Sequence, residues 1–228
     1  SSDVCSSDLQ ACITVIVVSS LSWFIGLVLG FLLACAKLSG PRWLKVPVEL
    51  YIWFFRSVPL MVLLVFVYNL PQLFPATQPL LGIPFIAGLV SMTVTEAAYM
   101  AEIHRGGLLS VAKGQWEAAH SIGMSWGQSL RYIILPQAAR VAVPPLSNTF
   151  ISLVKDTSLA SVITVPELFL AAQRIAAVTY QPLILYTEAA LLYLLISSVL
   201  SYLQSQLETR LERNTVAKEN NNDNAIRT

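Results

Sequence analysis

The chain has 228 residues, 55% of them hydrophobic and 12% charged, with a mean hydropathy of +0.65. A soluble domain carries roughly 25% charged residues, so this chain cannot cover itself with a hydrated surface and reads as a membrane protein. Fourteen Lys and Arg against thirteen Asp and Glu leave a formal net charge of +1, which excludes a global field for nucleic acid or an acidic partner.

Residues Ser1 to Leu9 contain the near-repeat SSDVCSSD and match neither a signal peptide nor a helix cap, so 1–9 are read as an artefactual leader outside the fold. The alternative is a short polar leader with Ser7 or Asp8 as an N-cap. Ala11 to Ala36 then runs without a charge, longer than the roughly 20 residues that cross a bilayer core. The turn that follows, with Lys37, Gly40, Pro41, Arg42 and Lys45, has the basic cluster of a cytoplasmic end. Gly26 and Gly30 are spaced for close helix contact, although two glycines in an apolar helix with no special partner read equally well. Cys5, Cys12 and Cys35 form an odd set without metal-ligand spacing and are read as packing residues.

From Ser57 to Thr95, 39 residues carry no charge, too many for one helix, and Pro71, Pro75, Pro79 and Pro84 interrupt them. Proline spacing predicts a second span from about Val48 to Leu70, an outer loop through Gly82, and a third span from about Phe85 to Leu109. A polar stretch from Ala112 to Arg131 follows, then a fourth span, Ala138 to Val154, kinked at Pro144 and Pro145. The fifth covers Leu183 to Leu207 and ends in Arg210 and Arg213, while 214–228 is expected to be a disordered cytoplasmic tail. The predicted fold is thus all-α and polytopic, with five transmembrane helices, the N-terminus outside and the C-terminus inside. Only Lys155 and Arg174 among the basic residues then fall on the outer side.

An ionisable residue at mid-membrane costs about 2.5 to 3.5 kcal/mol on insertion scales, so each requires a reason. The candidates are Arg56, Glu96, Glu102, Lys155, Asp156 and Glu188. A zwitterionic amino acid needs a cation or helix N-terminus for its carboxylate and a carboxylate for its ammonium. Lys155, Asp156, Thr157 and Ser158 offer both signs with two hydroxyls, against the plainer reading of an interfacial pair snorkelling to water. Glu96 and Tyr99 share one face of span three, where a pathway role stands even with a structural hydrogen bond. Arg56 is placed near the inner interface and Glu188 near the outer one. His104 and His120 read as surface imidazoles, since no metal set accompanies them.

Between spans three and four, the loop 112–136 contains QWEAAHSIGMSWGQSLRYIILP. A short amphipathic helix held here on the inner face can transmit force, with its two alanines exposed to a partner's groove and Trp116, Ile122 and Met124 as anchors. Glu117, Ala118, Ala119, Gly123, Ile133, Leu135 and Pro136 match in residue and spacing the EAA motif, so the chain resembles permeases of ATP-binding cassette (ABC) importers. Three further strings are similar to the polar amino acid branch: FFRSVPL from Phe54, EAAYMAEIHRGGL from Glu96, and LPQAARVAVPPLSNTFISLVKDTSLASVI from Leu135. GQWEAAHSIGM and VKDTSL look most similar to L-cystine permeases. Arg56-Ser57-Val58-Pro59 stands where that branch more often has Arg-Gly-Thr-Pro.

The resemblance spans nearly all of Gln10 to Arg213 and implies a type I importer transmembrane domain over 10–213. It implies a multi-pass protein of the bacterial inner membrane that pairs with a second permease, a copy or a sister subunit. It further implies a cytoplasmic ABC ATPase partner carrying ATP and Mg, and a periplasmic or lipid-anchored substrate-binding protein. By the same resemblance the Lys155–Ser158 segment lines the translocation pathway, with Asp156 as the ammonium contact. The chain itself has no GxxxxGK[ST], so it is expected to hold no cofactor and to be a transport subunit rather than an enzyme. An ion-driven secondary transporter or channel is the competing class, suggested by the intramembrane charges, though no inverted repeat supports it. An intramembrane enzyme lacks the motifs it would need.

Overall fold

Away from water the backbone must satisfy its own hydrogen bonds, so charge-free apolar runs fold as helices. The computed structural model describes the backbone of residues 2–226 and the side chains of residues 10–209. It is helical almost throughout, with no strand among the described residues: α1 (Ser2–Ser39), α2 (Arg42–Ser57), α3 (Leu60–Asn69), α4 (Gln78–Leu81), α5 (Pro84–Ser110), α6 (Lys113–Ser121), α7 (Trp126–Ser129), α8 (Leu135–Asp156), α9 (Leu168–Thr179) and α10 (Pro182–Ile226). Where a leader outside the fold was expected at 1–9 and a disordered tail at 214–228, the described backbone continues as helix, α1 from Ser2 and α10 to Ile226, and the side chains of both stretches lie outside the described set.

Gln10–Ser39 and Pro182–Thr209 are each long and apolar enough to cross a membrane alone. Three bent pairs reach that standard together, so the count is five when each pair is one span: Arg42–Ser57 with Leu60–Gln72, Pro75–Leu81 with Pro84–Ser110, and Trp126–Ile163 with Leu168–Thr179. The second span is therefore not the straight helix expected from Val48 to Leu70. It breaks by 107° where Val58 and Pro59 leave helical geometry, with ψ of 129° and 134°. The cause is local: the residue before a proline is pushed out of the α region, so a helix ends at Val58 and a new one starts after Pro59.

α5 lies at the centre. α1 packs against it so closely that a Cβ on Gly30 would stand 2.8 Å from the Met100 Cβ and 3.0 Å from the Ala97 carbonyl oxygen. A Cβ on Gly26 would stand 3.2 Å from that of Glu96, so the two glycines do have a special partner. Small residues at such a crossing let dispersion contacts replace the hydrophobic effect that lipid cannot supply. At the end carrying the basic cluster, Glu102 accepts from Lys37 and Arg105, each at 2.8 Å, which fastens α1 to α5. Phe31, Cys35 and Leu38 pack there with Leu108, Trp116 and Leu130. At the other end Ala11, Cys12 and Val15 pack with Val154, Leu168 and Ala189, so α1 and α5 run the same way and α8 returns. His104 is not the surface imidazole expected, because its ring packs edge-on against Phe31 at 5.5 Å.

Candidate functional site

Two constructions stand out, a polar cavity beside the break in span two and a compact loop unit between α5 and α8. The cavity has a volume of about 410 Å³ and takes its walls from three segments. Arg56, Ser57, Val58, Pro59 and Leu60 come from the break; Thr95, Glu96 and Tyr99 from α5; Asn148, Thr149, Ser152 and Asp156 from α8. Irregular backbone at membrane depth is tolerated where it lines a cavity, and here it does. α3 restarts at that wall, so its first N–H groups, which have no intrahelical acceptors, begin at the cavity's edge.

Arg56, expected near the inner interface for packing or a helix-end contact, lines this cavity. Its guanidinium carbon lies 5.4 Å from the centroid of the Tyr99 ring, and the Tyr99 hydroxyl donates to the Arg56 carbonyl at 3.5 Å. Glu96, at the middle of α5, is 8% exposed, and its Oε2 has no hydrogen-bond partner. The Thr95 hydroxyl beside it is likewise buried and unpartnered. Leaving such groups unpaired is costly, and these two line the cavity. On the α8 side, Trp23 of α1 donates through Nε1 to the Leu146 carbonyl at 3.0 Å and to Thr149 Oγ1 at 3.2 Å, which holds the wall beside Pro144 and Pro145.

Of the four consecutive residues expected to share the pathway, only Asp156 lines this cavity. Lys155 is exposed elsewhere, Thr157 is 1% exposed and donates to the Val154 carbonyl, and the Ser158 hydroxyl donates to the Lys155 carbonyl. Adjacent helical residues are about 100° apart around the axis, so a run of four cannot face one space. Arg56, a candidate in the sequence only for packing or a helix-end contact, and Asn148, Thr149 and Ser152, which were not candidates, were not read as pathway residues. The X-Pro step after Arg56 was the available signal for the first, while the polar 148, 149, 152 and 156 positions form one helical face of α8.

The loop unit is built from local hydrogen bonds. α6 ends at Gly123, whose φ of +81° is the left-handed value glycine adopts most readily. The Gly123 N–H donates to the His120 carbonyl and the Met124 N–H to the Ala119 carbonyl, the two bonds of a Schellman cap. Ser125 then caps α7 in a reciprocal pair with Gln128. Trp116 and Trp126 stack at 6.3 Å. A single π-type turn, Leu130–Ile134, leads into α8, where Pro136 occupies the first turn.

Glu117, Ala118 and Ile122 are open to a partner, with Ile122 76% exposed. Ala119 is not, since it is 1% exposed beneath the helix, and Trp116 packs with Leu108 and Leu130 instead of facing outward. Leu135 and Pro136 are exposed, and Ile133 is half-buried against the same cluster. No group of three or more His, Cys, Asp or Glu converges to hold a metal among the described residues.

Residues 26–213, most of the chain and all of both constructions, match the model of the binding-protein-dependent transport system inner membrane component family. The chain belongs to that family. This permease is 45% identical over 194 residues to the L-cystine transport system permease protein TcyB of Bacillus subtilis (strain 168), covering 85% of this chain and 81% of that one. It is 40% identical over 189 residues to the glutamine transport system permease protein GlnP of Escherichia coli (strain K12), covering 82% and 84%. Among solved structures, it superposes on the crystal structure of an amino acid ABC transporter with histidines. The TM-score is 0.80 and the identity 33%, over 90% of this chain and 94% of that one. The MetNI methionine ABC transporter in an inward-facing conformation shares the fold, with a TM-score of 0.77 at 21% identity over 92% and 99% of the two chains. Permeases of this kind are not enzymes; a separate subunit hydrolyses ATP, and a substrate-binding protein delivers the cargo.

Proposed function

We propose that this chain is the inner-membrane permease of an ATP-driven importer for a polar amino acid, with L-cystine the first candidate, and that the cavity beside Pro59 is its transmembrane substrate site. The observation that carries this reading is the pairing of Arg56 with two carboxylates, Glu96 and Asp156, around one cavity in which Glu96 Oε2 and the Thr95 hydroxyl lack partners. An amino acid's carboxylate is drawn to the Arg56 guanidinium and the first turn of α3, while its ammonium is drawn to Glu96 and Asp156. Tyr99 holds the guanidinium by its ring face. Asn148 and Ser152 supply neutral hydrogen bonds.

A second permease subunit, a copy or a sister chain, pairs with this one. A cytoplasmic ATPase docks on the exposed Glu117, Ala118 and Ile122 of the loop unit. ATP binding draws the two ATPases together, and the loop unit moves as a rigid piece because its bonds close on themselves. The motion then passes directly into α8, whose far end carries Asp156. A periplasmic or lipid-anchored binding protein supplies the substrate at the opposite face.

The test is ATPase activity and labelled L-cystine uptake in vesicles holding this chain with its ATPase and binding protein, with arginine, glutamine and histidine as competitors. Cystine-stimulated, ATP-dependent uptake is expected. Uptake that persists without the ATPase would overturn the coupling and favour an ion-driven carrier.

A further inference from the structure

Glu167 belongs neither to the cavity wall nor to the loop unit, yet it is more enclosed than Glu96, 1% exposed against 8%. A carboxylate buried beside spans needs a stated partner, and this one has three. Oε2 accepts from the Phe169 N–H at 2.7 Å and Oε1 from the Leu170 N–H at 2.6 Å, which caps the first turn of α9. Oε2 also accepts from the Tyr193 hydroxyl of α10 at 2.7 Å. The same Tyr193 oxygen lies 3.5 Å from Thr157 Oγ1, and Thr157 is the residue directly after Asp156, 1% exposed. Tyr193 donates its one hydroxyl proton to Glu167 and Thr157 donates its own to the Val154 carbonyl, so the two oxygens meet as a polar contact, and the end of α8, the start of α9 and the body of α10 come together at one buried polar point.

The chain between these anchors departs from regular α-helix. Thr157–Ile163 is a tight 3₁₀ helix in which the Thr157, Ser158 and Ser161 hydroxyls each bond the carbonyl three residues back. It ends at Thr164 with φ of +64°, a left-handed value that a β-branched residue adopts only when its surroundings impose it. Glu167 is the anchor on the far side of that strained turn, and Tyr193 ties it back to the near side.

We propose that Glu167, acting through Tyr193 and Thr157, is a positioning residue of the transport cavity, fixing the turn after α8 and with it the place of the Asp156 carboxylate. The inference rests on Asp156 being a substrate contact. Tyr193→Phe keeps the ring in the core and removes only the hydroxyl; Thr157→Val keeps the shape of its side chain.

Uptake kinetics in reconstituted vesicles, with whichever of labelled L-cystine, L-arginine, L-glutamine or L-histidine stimulates the ATPase, are the readout. Each variant is expected to raise KM about fivefold to tenfold at an unchanged amount of assembled transporter. In an Asp156→Asn background either variant is expected to add less than about twofold, because the group to be positioned is gone. Glu167→Gln, which retains an acceptor for α9, is expected to fall between. A purely structural cap would lower assembly, leave KM unchanged and multiply with Asp156→Asn, and that pattern would overturn the proposal. A raised KM for Asp156→Asn with normal KM for Tyr193→Phe and Thr157→Val would discard the positioning role and keep the cavity. An unchanged KM for Asp156→Asn would remove the substrate contact and this inference with it. Should Tyr193→Phe fail to assemble, Thr157→Val decides by the same criteria.

Discussion

The cavity and the loop unit solve opposite problems. In the loop unit the bonds that fix the shape close within five residues, from Met124 back to Ala119 and between Ser125 and Gln128. In the cavity the walls come from residues as far apart as Arg56 and Asp156, and the polar atoms of Thr95 and Glu96 are left without partners. A part that transmits force has to be rigid and satisfied by itself, whereas a part that binds and releases has to leave hydrogen-bonding capacity for its cargo. The difference sorts the consequences of substitution.

The largest expected effect is one that erases the distinction. Gly30→Val places a side chain where even a Cβ would meet Met100 at 2.8 Å and backbone at 3.0 Å, so α1 and α5 must separate. Overpacking costs about 1 to 3 kcal/mol or more where the backbone has to move. Assembled transporter recovered from membranes should fall at least about tenfold, with cavity and loop unit lost together. Near-normal recovery would show that α1 is not locked against α5 at this crossing.

Glu96→Gln comes next and strikes the cavity alone. Removing a charge-assisted contact of about 1.5 to 3 kcal/mol should raise KM for uptake roughly tenfold to a hundredfold while assembly and basal ATPase activity stay normal. An equal loss of ATPase attachment would mean that the two regions are not separable. Gly123→Ala is the converse. A side chain in left-handed geometry costs about 1 kcal/mol, enough to lower the coupled ATPase rate about fivefold by loosening the Schellman cap while KM stays unchanged. Glu117→Lys should weaken ATPase attachment in the same selective way, measured by co-purification.

The same contrast explains what could be read from the residues alone. Gly123 followed by Ser125 and Gln128 announces a cap and a restart because all of the physics is local, and the position of Pro136 in the first turn of α8 follows as readily. The five apolar stretches were legible as well, since length and charge decide them. The break at Val58–Pro59 was legible in principle through the X-Pro restriction, but a span drawn straight through Pro59 carried Arg56 to the inner interface and away from Glu96. Glu167 offered no pattern at all. Its burial depends on Tyr193, 26 residues on, and only the packing of α9 against α10 brings them together.

The smallest expected effect sharpens the comparison most finely, since it separates two neighbours in sequence. Lys155 and Asp156 form a charged pair on paper, and either could contact a zwitterion. In the fold they diverge by a helical step: Asp156 lines the cavity, whereas the Lys155 side chain is exposed and does not line it, and its carbonyl accepts from Ser158. An exposed charge of this kind contributes about 0 to 1 kcal/mol. Lys155→Ala should therefore change KM by less than about twofold, against the tenfold or greater rise expected for Asp156→Asn in the same vesicles. A rise for Lys155→Ala as large as that for Asp156→Asn would mean that the α8 terminus turns during transport and brings the lysine to the cargo, and the cavity wall would then have to be redrawn around both residues.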